Sequence, residues 1–261
     1  LICEFHGWSY ALDGTLTGRP QDSCFNTDNS ECSLIKLPVS ESCGIVIVGL
    51  TDKVGVSPKD VGFDQITDEL KGFNLVGYQF IARKEYKVSA NWKLINNLSL
   101  ESYHFSTLHR ETVAKVLSAF SIFDTFERCS RWGFPLLSIE RLEKLKEKDW
   151  PETIEGSCTY TLFPGVMIIV NASGAQMIRV DPGSKVNESR VTYVGLAHPS
   201  SSKEAAKNAY EFGGQVFEDE DLRVAIHCQK GLEASKRDLI IGTNEPLLQF
   251  WHQLWTKGTL S

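Results

Sequence analysis

Hydrophobic and polar residues follow different periods along this chain, and each change of period marks an element. The first 44 residues are polar and turn-rich; Asp13-Gly14, set between Tyr10 and Leu16, predicts a hairpin in a small β region. The run Gly44-Ile-Val-Ile-Val-Gly-Leu50 is apolar and β-branched throughout, which predicts a buried strand. Residues 56–70 read as a linker with a short helix, and 75–88 as a long strand. A helix is expected from Trp92 to His104. Residues 113–145 are mixed, with aromatics at Phe120, Phe123, Phe126, Trp132 and Phe134. Three strand-like runs follow, over 158–170, 175–180 and 190–197, separated by Gly174 and by the turn residues Asp181-Pro-Gly-Ser184. Helical patterns over 203–215, 219–232 and 246–257 complete the chain. Strands in series between helices predict an α+β fold, with an antiparallel sheet and helices packed on one face. The domain boundary is expected at 44/45.

Composition narrows the function. At 42% hydrophobic and 10% aromatic, the 261 residues can build a core, and disorder is excluded. The net charge is −6 with no basic patch; even Glu140–Lys148 mixes both signs as a solvated helix would, so no nucleic-acid partner is expected. No apolar run approaches the ~18 residues of a membrane span, and the start has no signal-peptide pattern. Seven cysteines at irregular spacings suit free thiols in a reducing cytoplasm. The first residue is Leu1, and an N-terminal segment is expected to precede it.

Two constellations carry redox chemistry. Cys3 and His6 sit three apart on a tight loop backed by Gly7, Trp8 and Tyr10. A thiolate plus an imidazole is half the ligand set of an iron–sulfur centre in which two histidines replace two cysteines. The second half, a Cys-x-His pair, occurs nowhere downstream. The alternative is a free cysteine beside an ordinary loop histidine. The second constellation is Asn91-Trp92-Lys93, then Glu101, His104 and His109. Oxygen activation by non-haem iron needs two histidines and one carboxylate on one face of the ion. His104 and His109 are five apart, about 140° around an ideal helix, so the helix is expected to bulge or end between Phe105 and Leu108. Glu101, three before His104, is placed to orient a histidine. The third ligand must be a carboxylate from elsewhere, and Glu218-Asp-Glu-Asp221 is the acidic run available; otherwise that run is a solvated helix start.

The pattern Cys3-x-x-His6-Gly7-Trp8-x-Tyr10-x-x-Asp13-Gly14 resembles the second half of a Rieske motif in ring-hydroxylating oxygenase alpha subunits. Asn91-Trp-Lys-Leu…Asn97…Leu100-Glu101-x-Tyr103-His104…His109 resembles the iron-binding segment of the same family, in the family's order. The ending Glu245…Phe250-Trp251-His252 is similar as well. The resemblance implies a partial Rieske β domain followed by a helix-grip (START-like) catalytic domain with a long C-terminal helix. It implies a [2Fe-2S] cluster at Cys3 and His6, with the other two ligands before Leu1. It further implies Fe(II) held by His104, His109 and Asp221 (Asp219 as fallback), since an acidic pair followed eight residues later by Gln-x-Gly-Leu matches Glu220-Asp221…Gln229. Glu101 matches the acid that bridges to the cluster of a neighbouring subunit, and Asn97 an active-site asparagine. The implied activity is that of a terminal oxygenase, hydroxylating, dihydroxylating or demethylating an organic substrate with O2. The implied assembly is a homotrimer fed by a reductase or ferredoxin. Two rivals from other classes are a helix-grip ligand-binding domain without chemistry and a zinc hydrolase using both histidines. Phe105, Phe123, Phe126, Trp132 and Phe163 are candidates to line an apolar pocket.

Overall fold

The computed structural model describes all residues except Ala119, Thr153, Lys236 and 259–261. Its contacts divide the chain into two compact units, Leu1–Val61 and Gly62–Ser261. The division falls beyond the expected 44/45 boundary because a hairpin straddles those residues.

In the first unit β1 (Ser9–Tyr10) pairs with β2 (Leu16–Gly18) around Asp13-Gly14, as the turn chemistry predicts. Asp13 Oδ1 accepts the Thr15 N–H at 3.0 Å, and Gly14 takes a φ of +85° that a side chain would strain. The second hairpin pairs β3 (Val39–Ser42) with β4 (Ile45–Val48) across Cys43-Gly44, both at positive φ. β4 is not the buried strand expected. Val46 and Val48 are exposed, because a two-stranded ribbon covers one face at most. A one-turn helix, α1 (Pro58–Val61), ends the unit.

The second unit contains α2 (Thr67–Phe73), β5 (Gln79–Val88), α3 (Trp92–Asn97), β6 (Ile122–Thr125), β7 (Cys129–Pro135), β8 (Gly156–Leu162), β9 (Val166–Asn171), β10 (Gly174–Pro182), β11 (Ser189–Ala197), α4 (Lys203–Val216), α5 (Arg223–Ser235) and α6 (Pro246–Gly258). The strands form one antiparallel sheet in the order β5-β11-β10-β9-β8-β7-β6. The α+β expectation therefore holds. The run 158–170 is two strands, divided at Phe163-Pro164-Gly165, and the mixed stretch 113–145 supplies β6 and β7.

Register decides which residues share a face. Trp132 opposes Thr159, Thr159 opposes Ile169, and Ile169 opposes Gln176. One step along, Met167, Ile178 and Tyr193 form the next row. The inward face near β5, β10 and β11 packs Tyr86, Val88, Ile178 and Val191 against Leu94 and Ile95 of α3, and against Phe217, Leu222 and Ala225 beyond α4. Near β7 the same face carries Trp132 and Phe134, which join Leu247, Leu248, Trp251 and Trp255 of α6. Not all helices lie on that face. Glu69 of α2 accepts the Tyr160 hydroxyl at 2.8 Å and pairs with Arg131, both from the opposite side of β7 and β8. Among the described residues no helix is long and apolar enough to cross a membrane.

Trp251 is the anchor of α6: it is fully buried and donates Nε1–H to Ser130 Oγ at 3.2 Å. Trp251→Ala is expected to cost about 3–5 kcal/mol through the cavity it leaves, read as a lowered midpoint of urea unfolding.

Candidate metal centre

The metal-type side chains lie on two segments that leave regular helix. Asn91 caps α3 by accepting the Lys93 N–H on Oδ1 at 2.9 Å, so the Asn-Trp-Lys motif starts that helix. The helix stops at Asn97 instead of continuing to His104. Short turns replace it, with Ser99 N–H on Asn96 O at 3.0 Å and Leu100 N–H on Asn97 O at 3.1 Å. Leu100 and Phe105 are drawn into the aromatic cluster beneath α6, which pulls the chain off the helix axis. The five-residue spacing of His104 and His109 is thereby relieved earlier than the helical reading required. Phe105 packs edge-on against both imidazoles, its ring centroid 5.2 Å from His104 and 5.5 Å from His109, while the imidazoles themselves lie 4.8 Å apart.

The second segment, Phe217–Leu222, is a π-helical turn between α4 and α5. The wide turn keeps Phe217 and Leu222, five apart, both buried in the core, and it aims the intervening acids sideways. Asp221 Oδ1 lies 3.2 Å from His109 Nε2 and 3.8 Å from His104 Nε2. One ligand atom from each of His104, His109 and Asp221 falls within 4.8 Å of the others. Asp219 is exposed, only its backbone carbonyl being engaged, by Arg223 Nε at 2.9 Å; Glu218 pairs with Lys84.

Both outward nitrogens of the pair are already taken. Glu101 pairs with His104 Nδ1 and also accepts the His104 backbone N–H at 3.2 Å, without any helix between them. Glu220 Oε2 sits 2.5 Å from His109 Nδ1. With carboxylates on both Nδ1 atoms, the two Nε2 atoms are left facing Asp221. Burial depresses the His109 pKa, but Asp221 and Glu220 together outweigh it and leave it above the usual imidazole value. Asp221 Oδ1 is itself buried with no hydrogen-bond partner. Two imidazole nitrogens converging on an unpartnered buried carboxylate oxygen fit a divalent, iron-type ion with one side open.

That open side meets a cavity of about 570 Å3 between the inward sheet face and α4. His104, His109 and Asp221 form part of its wall, beside Phe105, Trp132 and Phe134. Trp132 and Phe134 meet edge-on at 4.1 Å. Phe123, Phe126 and Phe163 do not line it; Phe163 stacks on Trp251 at 5.9 Å. Asn97 is also outside the lining: its Oδ1 accepts Nε2–H of His252 at 3.1 Å. Burial, and then the charge of Lys93, push the pKa of His252, unassigned from sequence, below the usual imidazole value. No periodicity in α6 signals that partnership.

In the first unit, Cys3 N–H donates to Trp8 O at 2.8 Å and Gly7 N–H to Cys3 O at 2.9 Å, with Gly7 at φ +73°. This closed turn leaves Cys3 and His6 exposed at its tip. Among the described residues no third ligand-type side chain joins them, so the pair fits half of a cluster site and no more.

Residues 75–258 match the family model for the ring-hydroxylating alpha subunit catalytic domain. Choline monooxygenase of Spinacia oleracea is 29% identical over 125 residues, covering 42% of this chain and 26% of that protein. The large subunit of anthranilate 1,2-dioxygenase from Acinetobacter baylyi is 31% identical over 122 residues, 44% of this chain and 26% of its own. The matched stretch thus spans about a quarter of these relatives. Among solved structures, a quaternary ammonium Rieske monooxygenase superposes with a TM-score of 0.82 at 18% identity, covering 98% of this chain and 71% of that one. Naphthalene 1,2-dioxygenase superposes with a TM-score of 0.68 at 14% identity, covering 90% and 62%. These likenesses establish a shared fold.

His104→Ala is expected to abolish stoichiometric Fe(II) binding, measured by metal analysis after anaerobic loading and desalting. Asp219→Ala, a change at an exposed neighbour outside the triad, is expected to keep it.

Proposed function

The chain belongs to the ring-hydroxylating alpha-subunit family through its catalytic domain, and on that premise we propose that it is the terminal oxygenase component of a Rieske non-haem iron system. One observation carries this: His104, His109 and Asp221 converge on the wall of a largely apolar cavity. Ferrous iron bound there would supply the activation of O2 that organic side chains cannot provide. The balance is R–H, O2, two electrons and two protons giving R–OH and water. His104, His109 and Asp221 would hold and orient the ion, the Phe105–Trp132–Phe134 wall would keep water from it, and the cavity would fix the substrate's reacting carbon before it. Cys3 and His6 would contribute two of the four ligands of a [2Fe-2S] cluster that would supply electrons from a reductase or ferredoxin. In a homotrimer Glu101 would couple one subunit's iron site to the cluster site of its neighbour. Seven cysteines at irregular spacings suit the reducing cytoplasm where such a protein would work.

The cavity chemistry narrows the substrate. No lysine or arginine lies among its described lining residues, so a substrate carboxylate finds no counter-ion. Burying one unpaired costs several kcal/mol. Glu155 lines the cavity as an exposed acid, and three aromatic rings flank the metal site. Faces of this kind attract an organic cation by about 0.5–2 kcal/mol each. We therefore assign an N-alkylated amine or ammonium compound over an aromatic acid, to be hydroxylated or N-demethylated. The name of the relative acting on choline, a quaternary ammonium compound without a carboxylate, supports the class.

The rival readings fare worse. A ligand-binding domain without chemistry has no use for an unpartnered acid between two histidines. A zinc hydrolase needs a free general base, and Glu101 and Glu220 are both engaged on imidazole nitrogens.

The Fe(II)-loaded chain, given hydrogen peroxide in place of O2 and electrons, is expected to oxidise N-methylated ammonium compounds and to leave benzoates unchanged. Mass spectrometry reads the added oxygen or the lost methyl group; turnover of benzoates alone would refute the substrate class, and turnover of neither the oxygenase reading. Glu101→Gln in the cluster-loaded oligomer is expected to retain both metals yet slow cluster oxidation in a single turnover, followed by its visible absorbance.

A further inference from the structure

The two nitrogens of the His109 ring face consecutive residues of the π-helical turn. Glu220 Oε2 lies 2.5 Å from Nδ1 and Asp221 Oδ1 lies 3.2 Å from Nε2. The ring is 3% exposed, so water offers it no alternative partner. Thr112, three residues past His109, donates its hydroxyl to the same Glu220 oxygen at 3.0 Å. Glu220 is therefore fixed from a second direction.

A neutral imidazole carries one N–H, and whichever carboxylate receives it determines the nitrogen left with a lone pair. If the proton sits on Nδ1, it serves Glu220, and Nε2 is free to ligate. If it sits on Nε2, the ring donates to Asp221, and the two ligands close on each other instead of on an ion. We infer that Glu220 is a positioning residue that outcompetes Asp221 for the His109 proton and so keeps the metal site open. The inference rests on the metal-centre reading of His104, His109 and Asp221. It assigns different tasks to two adjacent acids: one accepts a proton-bearing nitrogen, the other faces the ion. The π turn is what makes this possible, since both carboxylates reach one ring from neighbouring positions.

Co(II) titration of the full chain, paired with 15N NMR of the metal-free histidine rings at alkaline pH where they are neutral, tests the assignment. Glu220→Ala is expected to weaken Co(II) binding on the order of 10–100-fold, and to move the His109 proton from Nδ1 to Nε2. Glu220→Gln keeps an acceptor but loses the negative charge, so it is expected to fall between, with both tautomers present. It decides the matter should the alanine variant not fold. Wild-type Co(II) affinity together with an unchanged tautomer in the folded variants would overturn the role of Glu220. A purely structural role would lower the melting temperature and leave the tautomer of the folded fraction alone. Undiminished Co(II) binding by His104→Ala would instead refute the metal centre itself, so the two failures are distinguishable.

Discussion

A carboxylate oxygen removed from water without a donor is among the least favourable arrangements a protein can keep, and Asp221 Oδ1 is in that position. The Nε2 atoms of His104 and His109 lie 3.8 and 3.2 Å from it, and Glu101 and Glu220 face the opposite nitrogens of those rings. Left to relax, the site would pair acid with imidazole. The surrounding fold prevents this by holding each participant from a separate direction. Phe105 pins the histidine segment into the aromatic cluster, Phe217 and Leu222 pin the acidic turn into the main core, and Thr112 pins Glu220.

The sheet makes that restraint possible. Its register places two apolar clusters on one face, at opposite ends of the strand order. Between them the face is left unfilled, which is where the cavity lies. Trp132, Thr159, Ile169 and Gln176 form a continuous row across four strands, so the cavity floor is backbone-paired and rigid while its roof is helical. Polar sites on rigid floors keep their geometry better than sites on loops. Here the metal-facing side chains come from irregular segments, and they borrow rigidity from buried aromatics on either side.

Much of this was legible in the sequence, for specific reasons. Strand and helix order in 175–257 follows from period and turn residues, and the metal-type residues from their types and spacing; the run 158–170 hides its division at Phe163-Pro164-Gly165. The errors share a cause. Gly44–Leu50 looked buried because β-branched residues are apolar wherever they sit, and only pairing partners reveal exposure. The helix expected to run to His104 stops at Asn97 because burial of Leu100 and Phe105 under α6, which has no local signature, turns the chain aside. β6 and β7 carry no clear period, because Trp132 and Phe134 pack against α6 and the cavity while Phe123 of β6 is exposed, contacts with no local signature. Asp221 could be separated from Asp219 by resemblance but not by pattern, since four consecutive acids carry no period. The π turn selects between them physically: Asp219 stays exposed, and Asp221 does not.

Glu220 shows why chemistry and fold cannot be separated in this chain. Its neighbour Asp221 is costly in the metal-free protein, because its Oδ1 is buried there without a hydrogen-bond partner. A bound cation removes the cost and returns it as binding free energy, so metal affinity and the stability of the α4–α5 junction are linked. The same linkage explains the shape of the surroundings. A wall of phenylalanine and tryptophan next to Asp221 lowers the local dielectric, which strengthens both the penalty without the ion and the attraction with it. A polar wall would relax the first and forfeit the second. The apolar cavity is thus as much a part of the proposed metal site as its three candidate ligands, and a substrate filling it would complete the exclusion of water.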